Sequence, residues 1–348
     1  MSQTNLSQVL SRNIDLLDCQ QAIVVNYPVD SFYKYWLAEY PQANIHFFTN
    51  NKLNANQLAN IKASQVTSGF GCFYDGDVAF DLALIAFPKS KSELAYTLAM
   101  LAPHLTENAT VLFVGENKAG IKSVAKLSKD YVSNCDKVDA ARHCILYAAN
   151  FIAGDYTFDV DDWYHVYPLA LDGIEIKVAA LPGVFSQQGL DKGTKVLLEN
   201  LPCNYQGSLL DFGCGAGVIS AFLAKKFPGV SPTGIDISAL AIASTEKTLA
   251  LNGIKGKAIV SDGLSEVNEK YDHIVSNPPF HQGLNTHYAA TELFLAESKK
   301  FLNRNGQLTV VANSFLKYLP IMSKSFGSAK LTTNMKGFSI YHSIYNLR

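Results

Sequence analysis

Between residues 207 and 313 short apolar runs alternate with amphipathic stretches, and no other feature of the chain restricts its fold as much. The runs "SLLDF" (208 to 212), "PTGIDI" (232 to 237), "GKAIVS" (256 to 261), "DHIVSN" (272 to 277) and "GQLTVVAN" (306 to 313) read as strands. The segments between the first four begin with Gly, Ser and Asp and hold apolar residues at helical spacing. Strand, helix, strand repeated in this way predicts a parallel sheet with helices on both faces, because parallel neighbours can be joined only by a crossover. The final run, "GFSIYHSIYNL", alternates as a strand does and is expected to close the sheet as an antiparallel edge.

The first half of the chain carries a fainter copy of the same plan. "FDLALIAFPK" (80 to 89) laid over "YDHIVSNPPF" (271 to 280) places Asp81 on Asp272 and Pro88 on Pro279 without a gap. "LTENATVLFVGEN" (105 to 117) then lies over "LNRNGQLTVVANS" (302 to 314), again without a gap. Two matching blocks in the same order predict one fold built twice, and a length of 348 residues suits two domains of about 150 residues each. The copies differ where chemistry would sit. Ala86 takes the place of Asn277 and Phe87 that of Pro278, and "AIVVNYPVDS" near the start has no glycine-rich loop. The first copy therefore reads as a fold kept without its catalytic site. Residues 151 to 190 connect the two, with an acidic, aromatic stretch "GDYTFDVDDWYHVYP" and then "LPGVFSQQGLDKG", whose Pro and Gly predict irregular chain. The boundary is expected near 165, giving domains 1–165 and 166–348.

With 48% apolar residues the chain can bury a sizeable core. No window approaches the roughly 18 uninterrupted apolar residues of a membrane span, and the polar opening "MSQTNLSQVLSRNIDLLD" lacks the plan of a signal peptide, so no membrane and a cytoplasmic home are expected. The six cysteines form no C-x-x-C pair and no zinc-ligand spacing, which predicts a reducing compartment and no metal. Net charge is −1, but residues 1 to 180 carry 13 Lys and Arg against 19 Asp and Glu, and the remainder 16 against 11. The mildly basic second part suits an anionic partner; a solvated Lys-rich surface explains it equally well.

"LLDFGCGAGVIS" sets Gly213, Gly215 and Gly217 between a strand and a helix, where glycines permit a tight turn and let a ligand approach backbone N–H groups. The dinucleotide fingerprint G-x-G-x-x-G/A would need its last glycine or alanine at Val218, which weakens a nicotinamide reading. Asp236 ends the next strand, 19 residues beyond Gly217, where a carboxylate can accept from both hydroxyls of a ribose; its structural alternative is a helix cap, a role Ser238 fills better. Asp262 follows the third strand and is placed for an adenine amino group, or for capping a turn with Gly263. "GENKAGIKS" (115 to 123) imitates a phosphate loop, but Ile121 interrupts the required run of Gly, Lys and Ser. "SNPPF" follows the fourth strand, on the sheet edge where doubly wound folds bind ligands; its two prolines remove donors and stiffen a segment whose carbonyls can accept. An ordinary strand-ending turn is the alternative.

These motifs look like those of class I methyltransferases that use S-adenosylmethionine to modify exocyclic or amide nitrogens. More closely, "LPGVFSQQGLDKG", "LDFGCGAGVIS", "SNPPFHQG" and "VANSFLKY", with "VGENKAGIKS" in the first half, resemble the bacterial small-subunit ribosomal RNA guanine-N2 methyltransferases, strongly from 181 to 320 and in patches before about 75. The resemblance implies an α/β protein of two tandem Rossmann-like domains, the N-terminal one degenerate, each a mostly parallel seven-stranded sheet with an antiparallel edge. It implies S-adenosylmethionine as cofactor and S-adenosylhomocysteine as product, with no metal. The partner it implies is 16S rRNA within the 30S subunit, and a monomer is expected.

Carried onto this chain, cofactor binding falls to Asp211, Gly213, Gly215, Gly217, Asp236, Asp262 and Asn277, and catalysis to Asn277, Pro278 and Phe280. Asn277 and the Pro278 carbonyl would accept the two N–H bonds of a guanine amine and direct its lone pair at the methyl group. Phe280 suits stacking on a flipped base, or core packing; His281 suits the base or the RNA backbone; Lys192, in a segment expected to start a helix, meets RNA or only solvent. A 23S rRNA enzyme shares these motifs. A protein glutamine methyltransferase uses the same Asn-Pro-Pro logic but more often ends it with Tyr, and a non-catalytic assembly factor is disfavoured by the intact glycine loop.

Overall fold

The computed structural model describes residues 3–201, 204–278 and 285–346, without the side chains of 285–289. The chain divides into two compact units, Met1–Trp163 and Tyr164–Arg348. Unit one contains strands β1 (Gln21–Val25), β2 (Asn44–Thr49), β3 (Val66–Phe70), β4 (Phe80–Ala86), β5 (Leu105–Glu116), β6 (Val132–Ala141) and β7 (Cys144–Phe151). Its helices are α1 (Asn5–Ser11), α2 (Phe32–Glu39), α3 (Lys52–Leu58), α4 (Lys91–Leu101) and α5 (Val124–Ser128). The sheet runs β3-β2-β1-β4-β5-β7-β6. β1 to β5 are parallel, and β7 is antiparallel to both of its neighbours.

Unit two opens with a hairpin of β8 (His165–Leu171) and β9 (Ile174–Ala180), followed by β10 (Gly207–Phe212), β11 (Val230–Asp236), β12 (Lys257–Val260), β13 (Tyr271–Ser276), β14 (Leu302–Asn313), β15 (Lys330–Met335) and β16 (Phe338–Ile344). Its helices are α6 (Lys192–Glu199), α7 (Val218–Lys226), α8 (Ala239–Leu251), α9 (Asn285–Glu297) and α10 (Tyr318–Phe326). The sheet order β12-β11-β10-β13-β14-β16-β15 is that of unit one. Each unit is thus an α/β doubly wound sheet with an antiparallel margin, as the alternating pattern predicts, except that residues 262–270 join β12 to β13 through turns and not through a helix. Central strands such as β4 and β13 are buried along nearly their whole length, which is why they read as continuous apolar runs. In unit two Leu210, Ile274, Leu308 and Val310 meet Tyr318 and Met322 of α10 in one core, and each fully buried chain of Leu size contributes about 1.5–3 kcal/mol.

The two ungapped blocks correspond residue for residue. β4 shifts register against β5 between Phe80 and Leu82, and β13 shifts against β14 between Tyr271 and His273. Asp81 accepts from the backbone N–H groups of Gln20 and Gln21, both at 2.9 Å. Asp272 accepts from the N–H and Oγ of Ser208 at 2.9 and 3.0 Å. Each aspartate ties the start of its strand to the strand beside it, an architectural task that both copies keep.

One expectation needs correction, and one element was not foreseen. β16 does not close the sheet, because it lies between β14 and β15, antiparallel to both, and β15 is the edge. "KLTTNM" escapes a search for alternation because this exposed edge buries almost nothing. Residues 181 to 191 are irregular, as their Pro and Gly predict, but the stretch before them, 165 to 180, is an element beyond those expected. It is a hairpin turning on Asp172 and Gly173, both at positive φ (52° and 75°), and Asp-Gly between apolar runs is a strong hairpin signal in its own right. The aromatic residues before it divide their packing: Phe158 and Trp163 pack on Tyr96 in unit one, whereas Tyr164 donates to the Ala243 carbonyl in unit two.

Candidate functional site

Register places Gly213, Asp236, Asn277 and the approach to Asp262 along one edge of the second sheet. β10 ends at Phe212 beside Ser276 of β13 and Ile235 of β11, and Asp236 pairs with Val260 of β12. The chain therefore leaves adjacent parallel strands at Gly213, Asn277, Asp236 and the approach to Asp262, all on the carboxyl edge.

The turn from β10 into α7 holds Gly213, Gly215 and Gly217 at φ of 71°, 53° and 74°, a left-handed backbone that side chains other than glycine resist. Gly213 and Cys214 both donate to the Ile235 carbonyl, at 2.8 and 3.0 Å, which fastens the turn to β11. At Gly217 a Cβ would stand 3.1 Å from Thr245, so glycine also admits the close approach of α8.

Asp211 lies fully buried beneath this turn. Its Oδ2 accepts from the N–H and Oγ of Ser220 at 3.0 and 2.8 Å, gripping the first turn of α7, and its Oδ1 has no partner among the described residues. Burial pushes its carboxyl up to about 7, and the charge of Asp236 adds to the rise against the lowering effect of the Ser220 bonds. Asp236 is half-buried; its Oδ2 accepts from Gly215 N–H at 3.1 Å and its Oδ1 from Ser238 N–H at 3.0 Å. Burial raises its carboxyl too. Ser238 stands at the N-cap of α8 without a side-chain bond to the helix, so the cap expected of its hydroxyl is not formed. Beyond β12, Ser261 organises the turn, donating to the Gly263 carbonyl at 2.9 Å and accepting from Glu266 N–H at 3.2 Å. Asp262, half-buried, is left with no side-chain hydrogen bond among the described residues.

Asn277 is held by two side chains at the start of α6. Its Nδ2 donates to Asp191 Oδ2 at 3.0 Å and to Thr194 Oγ1 at 2.9 Å. A carboxylate can only accept, so the amide nitrogen faces α6 and Oδ1 points the other way. Ser276 donates through Oγ to the Phe212 carbonyl at 2.7 Å, tying this strand end to the residue before the glycine turn. Pro278 is buried. Pro279, Phe280 and His281 lie outside the described residues. Lys192 is exposed on the first turn of α6.

Several contributors escape a motif reading. Asp191 caps α6, accepting from Thr194 N–H at 3.0 Å, and only the structure shows that the same oxygen meets Asn277. A Cβ at Gly193 would come within 2.9 Å of the Phe338 ring; glycine there lets α6 pack closely against the start of β16. The hairpin is fastened by α8 through three polar side chains at intervals of four. Ser244 accepts from Leu181 N–H, Thr248 from Ala179 N–H, and Asn252 from Lys177 N–H, at 2.9 to 3.0 Å. Tyr167 of β8 donates to the Ser186 carbonyl at 2.8 Å, and the neighbouring Phe185, 57% exposed, lies against Gly215. The stripe of Ser244, Thr248 and Asn252 is the signal that could have revealed this docking.

Matched through the strand registers, unit one has other residues at each of these places. Asn26, Pro28 and Asp30 stand for Gly213, Gly215 and Gly217, Thr49 for Asp236, Cys72 for Asp262 and Ala86 for Asn277. Asp30 is turned inward, accepting from Thr4 N–H at 2.7 Å, Ser7 Oγ at 2.6 Å and Phe32 N–H at 2.8 Å. Among the described residues no three His, Cys, Asp or Glu side chains cluster as metal ligands would, and no helix is long and apolar enough to cross a membrane.

Family models match both units: Methyltransferase small domain N-terminal over residues 7–167 and Methyltransferase small domain over 175–342. Ribosomal RNA small subunit methyltransferase C of Colwellia psychrerythraea is 46% identical, covering 98% of both chains. The protein of that name from Vibrio vulnificus is 39% identical over 97% of each. The solved structure of a T. thermophilus 16S rRNA N2 methyltransferase acting at guanosine 1207, in complex with AdoMet and guanosine, superposes with a TM-score of 0.84 at 21% identity, covering 99% of this chain and 92% of that one.

Proposed function

The chain belongs to the ribosomal RNA small subunit methyltransferase C family, and on that premise we propose that it methylates the exocyclic N2 of a guanosine in 16S rRNA, using S-adenosylmethionine. The position named for the T. thermophilus relative, guanosine 1207, is the target, and the 30S subunit the substrate. Every described site residue belongs to the second unit, which supports a monomer as the acting form, working in the cytoplasm where ribosomal subunits are assembled.

The residues fit the cofactor. The bare glycine turn offers backbone without side chains in the way, Asp236 sets a carboxylate beside it for the ribose, and Asp262 has a carboxylate without another described hydrogen bond for the adenine amine. Asp211 acts from below, through α7. Held there, S-adenosylmethionine would supply an electrophilic methyl group, the C–S electron pair staying with the S-adenosylhomocysteine product.

The observation that carries this reading is the fixed amide of Asn277, whose Oδ1 is directed away from α6. A guanine amine is a poor nucleophile because its lone pair is delocalised into the ring. Accepting its two N–H bonds, one at Asn277 Oδ1 and one at the Pro278 carbonyl, draws the nitrogen out of plane and frees the lone pair to form the N–C bond. The nitrogen then loses one proton to solvent, so no strong base is required. Phe280 stacks on the flipped base, His281 meets the base or the RNA backbone, and Lys192 contacts RNA phosphate. Unit one, with Ala86, Thr49 and an inward Asp30 at the matching places, is a methyltransferase fold without a cofactor site.

The test uses 30S subunits lacking the mark. Asn277→Ala is expected to lower kcat about 100-fold or more while S-adenosylmethionine still binds, the loss typical when one preorganised polar group is removed. An undiminished rate would overturn the role. Transfer to 50S precursors instead of 30S subunits would overturn the substrate.

A further inference from the structure

We infer that Asp191 is a positioning residue whose carboxylate fixes which end of the Asn277 amide meets the guanine amine; the inference rests on the methyl-transfer reading above. The two ends of an amide have nearly the same shape and opposite hydrogen-bonding character. Turned over, Asn277 would present NH₂ to an NH₂, donor against donor, and the nucleophile would lose its acceptor. Thr194 does not prevent this, because a hydroxyl donates as readily as it accepts. Asp191 Oδ2, 3.0 Å from Nδ2, only accepts, and an amide oxygen turned toward it would meet a negative charge.

The same contact polarises the amide. A charge-assisted bond at Nδ2 draws electron density toward Oδ1 and makes it a stronger acceptor for the amine. Asp191 therefore has two tasks on one oxygen, since Oδ2 also caps α6 by accepting from Thr194 N–H at 3.0 Å. A role confined to capping and a role in positioning predict different mutants. Serine caps a helix as well as aspartate does, but its hydroxyl, like that of Thr194, donates as readily as it accepts and so cannot choose between the two ends of the amide. Asparagine can keep an oxygen in the place of Oδ2 for both contacts.

The experiment measures methyl transfer to unmethylated 30S subunits by the full chain. Asp191→Ser is expected to lower kcat roughly 10- to 100-fold, the worth of one hydrogen bond to a charged group, with thermal stability and S-adenosylmethionine affinity held. Asp191→Asn, whose oxygen the Thr194 N–H holds in place but which loses the charge, is expected to lower kcat several-fold, less than Asp191→Ser does. In an Asn277→Ala background Asp191→Ser should cost nothing further, because the group it positions is gone. Should Asp191→Ser fail to fold, Asp191→Gly, which a helix N-cap tolerates and which leaves Asn277 without the carboxylate, takes its place, with the same loss of kcat alone and none beside Asn277→Ala. A parent-like rate in Asp191→Ser, or losses that add in the double variant, overturns the positioning role while methyl transfer stands. A parent chain that methylates no 30S subunit overturns both.

Discussion

Asp211 is the one carboxylate around the glycine turn that solvent does not reach, and this gives it a measurable signature. Its carboxyl is held near 7 in the folded chain against an ordinary value of 3.8. Between those two values the native state keeps a proton that the unfolded chain has released, so this group makes stability fall as pH rises from about 4 to about 7. Asp211→Asn keeps an oxygen for Ser220 and carries no charge at any pH. It should flatten the dependence of Tm on pH across that window and raise Tm by at least ~2 °C at pH 7.5. Thermal unfolding of both proteins at pH 4.5 and 7.5 checks this; equal slopes would show that Asp211 is ionised throughout. At this scale the sequence was informative about residue type. Asn277 stood out because Ala86 holds its place in a strand otherwise alike, so architecture does not demand it. Its orientation was not legible, since it depends on a carboxylate 86 positions away.

Elements were legible in proportion to how much of them is buried. Central strands announce themselves because both faces need apolar side chains, whereas the edge strand β15 has no buried face to mark it. The β8–β9 hairpin had a local signal in Asp172-Gly173, but its docking depends on α8, whose Ser244, Thr248 and Asn252 supply acceptors that a strand would otherwise provide. Thr248→Val keeps the shape and removes the acceptor of the buried Ala179 N–H, a loss of about 1–3 kcal/mol. Urea unfolding should show it, with Thr248→Ser close to the parent. S-adenosylmethionine affinity should fall as well, because the chain runs from the hairpin directly into the segment where Phe185 lies against Gly215.

At the scale of the molecule one topology occurs twice, with different residues at the strand ends of the two copies. The shared strand order, the shared register shift and the paired Asp81 and Asp272 belong to architecture, which both units need in order to fold. The glycine turn, Asp236, Asp262 and Asn277 belong to the second unit alone. Equilibrium dialysis of the full chain should therefore find one S-adenosylmethionine per molecule, and Asp236→Ala should weaken it at least tenfold, by about the 1.4 kcal/mol or more that one hydrogen bond to a charged group supplies. Two equivalents in the parent, or one that Asp236→Ala leaves untouched, would place binding elsewhere.

The sequence by itself determined the layered α/β plan, its repetition, and which residue types stand at the strand ends. Those properties follow from periodicity and burial, which are written along the chain. Only the tertiary structure decided that β16 lies inside the sheet, that α8 carries the hairpin, and that Asp191, Thr194 and Asn277 meet. Such contacts join residues far apart in the chain through strand register and helix packing, and a hydrogen bond is made or lost within a few tenths of an ångström, a distance no spacing along the sequence encodes.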